Sequence, residues 1–554
     1  MRLILPVAVW IALVLNLPTF QERSFSVWQA VPGPWHWLGP AAEMAMVFGV
    51  TSLLLLLVQW LGNTALRVTG AFLLIVSALC AYFMTRFKVV IGFGLLSAVF
   101  TTDHDMSGEL VGGWMILWLI CLGLLPAIGF WRRANAVGLV EVWRKGRWWR
   151  AHGLALLGCG LLLGCGQTVL ERAREGMRRD GGPDTNPVGT AAHSYVPSNW
   201  IAGSAMVLAN RLMQAEDESR LKRPSDLFHF KPATSLDDSV VVLVIGETTR
   251  SDRMGILGHI RDTTPRLAAE PHVAAFRGWS CDTATKLSLR CMFVRSEAVT
   301  PDKDGAPDLI SEDNVFSVYK QLGFAIELFA MQSEAGFYAR VRPDLLKFRE
   351  IIAAQPENAQ RRLDDALLVP ELKDSLARHS KGPLLVVLHT KGSHAMYSQR
   401  HPSGFSVWTP ECMNSDDFCN RDELFNAFDN SVFYVDHVLN ELRGELRGRK
   451  AFMVYVSDHG ESIDENRHFH ATPRHIAPSE QRRVPLVFWA SERWRADPVL
   501  GGRYAHLEAR ARDARALPMD DPTYGHHNLF ASLLGCVGVD SPDGGISARD
   551  DLCR

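Results

Sequence analysis

The feature that most constrains this chain is a series of five apolar stretches, each long enough to cross a hydrocarbon core: Leu3 to Phe20, Ala42 to Leu61, Leu66 to Phe87, Gly112 to Trp131 and Ala151 to Leu170. Backbone polar groups find no water in lipid, so each stretch is expected to be a helix. The first lacks a small-residue cleavage site and further spans follow it, which favours a span over a removed signal peptide. A chain of 554 residues exceeds one core, and its composition is split. Up to about residue 170 acids are few, whereas the remainder has the mixed charge of a soluble domain.

Basic loop residues orient the spans. Arg132, Arg133, Arg144, Lys145, Arg147 and Arg150 lie in one connection with a single acid, Glu141, which marks that loop as cytoplasmic. Five spans then put the amino terminus inside and everything beyond residue 170 outside. Trp143, Trp148 and Trp149 are expected at the interface. The formal net charge of -2 hides this local basic cluster, and no nucleic-acid partner follows from it. The spans display no paired internal charges of the kind that mark ion pathways, which argues against transport.

Cysteine use tests the orientation. Cys80, Cys121, Cys159 and Cys165 fall in spans, where a thiol serves as a small apolar residue. The other six come in close pairs, Cys281 with Cys291, Cys412 with Cys419 and Cys536 with Cys553, as expected of a disulfide framework in an oxidising compartment. A zinc ribbon is the rival reading, and no C-x-x-C spacing supports it.

Three regions follow: 1–170, a membrane domain of five helices; 171–237, a linker with interfacial helices; and 238–554, a domain with the mixed charge of a soluble fold. The Gly/Pro-rich patch from Gly181 to Pro187 reads as an exposed bridge, and Trp200 to Ala215 has the mixed helical spacing of an interfacial helix. Beyond it, Val240 to Ile245, Leu384 to Leu388, Phe452 to Val456 and Val484 to Trp489 read as buried central strands. Their alternation with helices such as Arg421 to Arg447 predicts a mainly parallel, doubly wound α/β sheet.

Ligands of such sheets collect beyond the carboxyl ends of the strands. The first run ends in Gly246-Glu247-Thr248-Thr249-Arg250, the second in His389-Thr390-Lys391-Gly392-Ser393-His394, the third in Ser457-Asp458-His459-Gly460-Glu461-Ser462. Carboxylates and imidazoles converging from three strand ends suit one or two divalent metals with mixed N/O ligands, zinc first. Any one of these histidines alone is more often a hydrogen-bonded residue than a ligand. Ser280-Cys281-Asp282-Thr283-Ala284-Thr285-Lys286 adds hydroxyls in a loop closed by a cystine. Metal coordination would lower the pKa of such a hydroxyl and make a covalent intermediate feasible, whereas without a metal a threonine cap at a helix start is the simpler reading.

Together these motifs, with Cys291-Met292-Phe293, resemble the lipid A phosphoethanolamine transferase family of the alkaline phosphatase and sulfatase superfamily. The resemblance covers nearly the whole chain, five spans included. It implies a bacterial inner-membrane protein with a periplasmic sulfatase-like catalytic domain. Thr285 would take phosphoethanolamine from phosphatidylethanolamine, with zinc bound by Glu247, Thr285, Asp458 and His459. His394 and His470 match positions that hold the phosphoryl group or a second metal; one or two zinc ions, or another divalent metal, are expected. The segments Ser280 to Cys291, Ala330 to Glu334 and Ser541 to Ile546 are most similar to members that modify the outer Kdo sugar of lipopolysaccharide. The same reaction on lipid A phosphates or another periplasmic glycan is the alternative. Membrane lipids and lipopolysaccharide are then the partners, and a monomer is expected.

Several positions depart from the family pattern. Glu350 to Leu368 lacks the cysteines of a further disulfide, and Gln332 or Glu334 stands near a family lysine. Phe100-Thr101-Thr102-Asp103-His104 resembles a substrate-contacting segment, although Ala98 and Met106 stand where Asn and Glu are expected. Lys286, Arg290 and Lys391 are either phosphate-attracting or ordinary surface charges. His468 is read as solvated, His526 and His527 as part of a late helix start, and Ser393 as a turn former. A sulfatase needs a modified residue in C/S-x-P-x-R, and neither Cys281 nor Cys291 is followed by it. A non-enzymatic lipid sensor is disfavoured because Thr285, Glu247, Asp458 and His459 are all present.

Overall fold

The computed structural model describes residues 4–29, 31, 33–99, 111–133, 146–179, 187–301, 308–354, 364–414, 419–463 and 469–554. The segment around Asp103, Arg144 and Lys145, most of the Gly181 patch and His468 lie outside these residues. Two compact units divide the chain, one of Met1–Leu96 with Val111–Asn210 and one of Ser97–Leu110 with Arg211–Arg554.

In the first unit, Trp35–Gln59, Asn63–Phe87, Gly113–Arg133 and Trp149–Glu175 are helices long and apolar enough to span a membrane. A bent pair, Ile4–Leu15 and Leu17–Trp28, makes five if it counts as one span. Trp149 meets Trp60 edge to face, as aromatic residues do where a span reaches the interface.

One expectation is corrected here: the apolar unit does hold a charge pair. Arg23 grips the fully buried Glu43 at 3.0 Å and 2.5 Å, and Tyr195 donates to the same carboxylate at 2.6 Å. The partners come from separate helices and from a segment after the last span, so no single apolar stretch displays the pairing. Asn16 adds a second tie, donating to the Val196 carbonyl at 2.7 Å and accepting from its N–H at 3.0 Å. Every group of this cluster has a partner, which makes it a fastening rather than an ion path.

The second unit is built on a seven-stranded sheet: β1 Ser239–Gly246, β2 Val273–Trp279, β3 Ala325–Ala330, β4 Leu345–Lys347, β5 Leu384–His389, β6 Lys450–Ser457 and β7 Arg483–Ala490, in the spatial order β2-β7-β6-β1-β5-β3-β4. All eight residues of β1 are buried, as expected for a central strand covered on both faces. Alternation sorts them: Val241, Leu243 and Ile245 join one core, Val240, Val242 and Val244 the other. On the second face lies the helix Arg421–Leu446, started by a capping box between Asn420 and Glu423.

β7 pairs antiparallel with both β6 and β2, whereas the pairings from β6 through β4 are parallel. The sheet is mainly parallel, as the sequence predicts, and β7, from the run Val484 to Trp489, is its antiparallel member. No α-helix crosses between β6 and β7 among the described residues, so the chain re-enters the sheet at the end it left and must run back. The consequence is local: β7 begins where β6 and β2 finish, and its first residues support the site.

Candidate active site

The residues singled out in the sequence meet at the carboxyl ends of the central strands. Glu247 follows β1 directly, and Asp458 and His459 follow β6; all three side chains are fully buried. Register places Gly246 beside Ser457, so the two strand ends deliver their acids side by side. His459 Nε2 lies 3.3 Å from Glu247 Oε1 and 3.4 Å from Asp458 Oδ2. Thr285 opens the helix Thr285–Cys291, and its hydroxyl donates to Glu247 Oε2 at 3.0 Å while standing 3.2 Å from His459 Nε2.

The backbone is shaped to hold this group. Thr248 adopts φ 64, a conformation costly for a β-branched residue, and its N–H donates to Asp458 Oδ1 at 3.1 Å. The His459 N–H gives the same oxygen a second bond at 2.7 Å. His459 Nδ1–H donates to the Gly460 carbonyl at 2.8 Å, which turns Nε2 toward both carboxylates and Thr285.

Electrostatics is concentrated here. Burial opposes charge on Glu247, yet the His459 hydrogen bond and the surrounding imidazoles hold its carboxyl well below the usual range. Burial and the neighbouring Glu247 push Asp458 up. Burial opposes protonation of His459, but Asp458 and Glu247 outweigh it and raise the imidazole to about 10. Two buried carboxylates thus compete for one cation.

The donors of Glu247, Asp458 and His459 lie within 4.8 Å of one another, and Asp458 Oδ2 is buried without a hydrogen-bond partner. An orphaned carboxylate oxygen facing an imidazole nitrogen and a second carboxylate suits a divalent metal. The other close group of potential ligands among the described residues, Cys536, Asp551 and Cys553, has its thiols joined in a disulfide.

His394 and His470 adjoin this cluster. The His470 ring lies 4.4 Å from that of His459 and 5.6 Å from that of His394, and His470 Nδ1 is 3.3 Å from Glu461 Oε2. His394 Nδ1 and Glu461 Oε1 are likewise buried without partners. Cys281 is joined to Cys291, Cys412 to Cys419 and Cys536 to Cys553. Lys391 is buried rather than a surface charge, and Arg290 donates to the Asp308 carbonyl at 3.2 Å.

Two contributors were not foreseen. His526 lies in the turn His526–Asn528, at a helix start as expected, but its ring is buried as a tie. The Cys281 N–H donates to Nδ1 at 3.2 Å and Nε2–H donates to the Ser457 carbonyl at 2.9 Å, joining the Thr285 loop to β6. Burial drives its pKa down to about 3, so the ring stays neutral and can do both. Asp365 accepts the backbone N–H groups of Lys391 and Gly392 at 2.6 Å and 2.8 Å, fixing the loop that carries His394. No local pattern links these residues; only the fold brings them together.

The chain is similar to known proteins over nearly its whole length. Residues 239–539 match the sulfatase family, and residues 47–171 match the family described as phosphoethanolamine transferase EptA/EptB. The Kdo(2)-lipid A phosphoethanolamine 7''-transferase of Escherichia coli K12 is 39% identical over 99% of this chain and 95% of its own length. The protein of the same name from Salmonella typhimurium is 40% identical over the same shares. In fold, the chain resembles the integral membrane lipooligosaccharide phosphoethanolamine transferase A of Neisseria meningitidis, with TM-score 0.80 and 24% identity over 100% of this chain and 98% of that one.

Proposed function

The chain belongs to the phosphoethanolamine transferase family whose membrane domain is of the EptA/EptB type and whose catalytic domain is of the sulfatase type, and from that premise we propose that it moves phosphoethanolamine from phosphatidylethanolamine to the outer Kdo sugar of lipopolysaccharide. The single observation that carries the chemistry is the Thr285 hydroxyl set between Glu247 Oε2 and His459 Nε2 at 3.0 Å and 3.2 Å. The Kdo acceptor rests on the two relatives named for it, which align over nearly the whole chain.

Thr285 Oγ1 attacks the donor phosphorus, the bond from phosphorus to the glycerol oxygen breaks, and diacylglycerol leaves with the proton. Phosphoethanolamine is then esterified to Thr285. In the second half the acceptor hydroxyl attacks the same phosphorus, loses its proton and returns Thr285 to its hydroxyl form. Both halves displace an oxygen from phosphorus, so one set of groups serves both.

Glu247, Asp458, His459 and Thr285 would hold a divalent metal, and zinc fits the mixed carboxylate and imidazole set. Bound there, it would lower the pKa of the Thr285 hydroxyl and offset charge on the phosphoryl oxygens. His394 and His470, beside His459, would hold the phosphoryl oxygens or a second ion. The protein is a multi-pass protein of the bacterial inner membrane with this domain in the periplasm, a reading supported by the basic loop and by three disulfides in the second unit. Spans confine the site to the layer where the donor headgroup lies.

The test is expression of the wild type and Thr285→Ala in a host lacking such enzymes, followed by mass spectrometry of intact and acid-hydrolysed lipopolysaccharide. A Thr285-dependent phosphoethanolamine on the Kdo-containing fragment is the expected result. The same mass on lipid A would keep the chemistry and overturn the acceptor.

A further inference from the structure

Gln332 stands two residues beyond the end of β3, and β5 separates that strand from β1. Its carboxamide nevertheless reaches across the end of β5 to the acid that follows β1. Nε2 lies 3.0 Å from Glu247 Oε2, 3.0 Å from the Thr390 carbonyl and 2.6 Å from His389 Nε2. We infer that Gln332 is a positioning residue for the transfer reaction: a neutral donor that orients Glu247, and through Glu247 the Thr285 hydroxyl, without neutralising the carboxylate. The inference rests on the proposed reading of Glu247 as a metal ligand.

The hydrogen bonds around Gln332 have fixed directions. Its backbone carbonyl can only accept, so Tyr338 spends its single proton there, at 2.8 Å. The Tyr338 oxygen must then accept from His389 Nδ1, 2.9 Å away. That leaves His389 Nε2 as a lone pair facing the Gln332 carboxamide. Burial pushes the His389 pKa down to about 4, in keeping with a neutral ring.

Gln332 Nε2 therefore confronts a ring lone pair, a carbonyl and a carboxylate, all acceptors. Rotating the amide by half a turn would set its oxygen against all three, so its orientation is fixed by its surroundings. His389 and Tyr338 are buried, as is Gln332, and water cannot substitute for a wrongly turned amide at little cost.

Glu247 Oε1 is bonded by Thr248 Oγ1 at 2.7 Å, and Oε2 receives both Thr285 and Gln332. Removing the Gln332 donor leaves the hydroxyl that must react as the remaining partner of Oε2. With Oε1 still held by Thr248, a carboxylate less fixed at Oε2 would carry Thr285 with it. A cationic side chain in this place would satisfy the geometry but would offset the charge that Glu247 offers to a metal.

The experiment uses the full-length chain in detergent with phosphatidylethanolamine as donor, comparing wild type, Gln332→Met, Tyr338→Phe, Thr285→Ala and Glu247→Gln. Gln332→Met is expected to lower kcat about 10- to 100-fold, with the donor KM within about twofold, and to weaken zinc retention against a competing chelator by a similar factor. Tyr338→Phe keeps the ring and Gln332 but loosens the amide, so both readouts should move the same way by about two- to tenfold. It carries the test by itself if Gln332→Met does not fold. A change in KM alone would make Gln332 a substrate contact, and unchanged kcat and zinc retention in the folded variants would leave it a packing residue; either overturns the inference. If Thr285→Ala and Glu247→Gln also keep full activity, the reading of the whole site fails instead.

Discussion

Gly392 lies directly against the backbone of Glu247: a Cβ built on it would stand 2.5 Å from the Glu247 carbonyl oxygen and 2.8 Å from its amide nitrogen. Ser393 N–H donates to that carbonyl at 2.9 Å, so the His394 loop and the Glu247 turn are backbone to backbone. Gly392 also has φ +53, which an L side chain rarely adopts. Gly392→Ala should therefore destabilise the catalytic domain by about 2 kcal/mol or more, with transfer activity falling further than the folded fraction does. Thermal melting beside a lipid-transfer assay checks both; an alanine variant with normal melting and activity would show that the two turns can separate.

Metal dependence follows from Asp458, whose carboxyl is pushed up by burial and by Glu247. A chelator should abolish transfer, and zinc should restore it. Protons and metal compete for the same oxygen, so zinc affinity of the stripped protein should weaken by up to about tenfold per pH unit as pH falls through the range where Asp458 gains its proton. Calorimetric titration at several pH values measures this. In Asp458→Asn the affinity should be lower throughout and its pH dependence shallower.

The disulfide between Cys281 and Cys291 brackets Thr285 with a sequence separation of 10. Replacing both cysteines by serine should cost roughly 2–3 kcal/mol through the freed unfolded loop. The native loop keeps other ties, among them His526 to Cys281, Arg482 to the Ser280 carbonyl at 2.9 Å, Arg474 to the Cys281 carbonyl at 3.1 Å and Thr283 to the Thr472 carbonyl at 2.6 Å. Activity at low temperature should accordingly survive in part, and His526→Ala in the same background should lower it further. Denaturant melts and transfer assays on the single and combined variants separate stability from positioning.

Much of this was legible from residue order, and the reasons differ by feature. The spans announce themselves by length, and the buried strands by runs such as Val240 to Ile245. The gathering of Glu247, Asp458 and His459 was legible because they directly follow strands, where α/β sheets gather their ligands. Strand direction was not: β7 is as apolar as the parallel strands of the sheet, and only its helix-free connection to β6 reverses it. Side-chain partnerships between distant elements were also hidden. Arg23 with Glu43, Gln332 with Glu247 and His526 with Ser457 are 20, 85 and 69 residues apart, and neither member of any pair carries a local signature of the other.

Asp365 provides a pH test away from the metal ligands. Its carboxylate accepts two backbone N–H groups of the His394 loop, but burial outweighs them and lifts its pKa from 3.8 to about 6. A carboxyl with a raised folded pKa binds more protons folded than unfolded. Its contribution is fully present below about pH 4 and is lost as pH rises through 6, an effect of roughly 3 kcal/mol at most. Asp365→Asn keeps the shape but cannot titrate. Across pH 4 to 7 the wild type should lose stability relative to this variant, even if the variant is less stable everywhere for want of one acceptor oxygen. Parallel stability curves for the two proteins in urea would mean that Asp365 ionises in the fold as readily as in water, and that the two loop hydrogen bonds fully offset its burial.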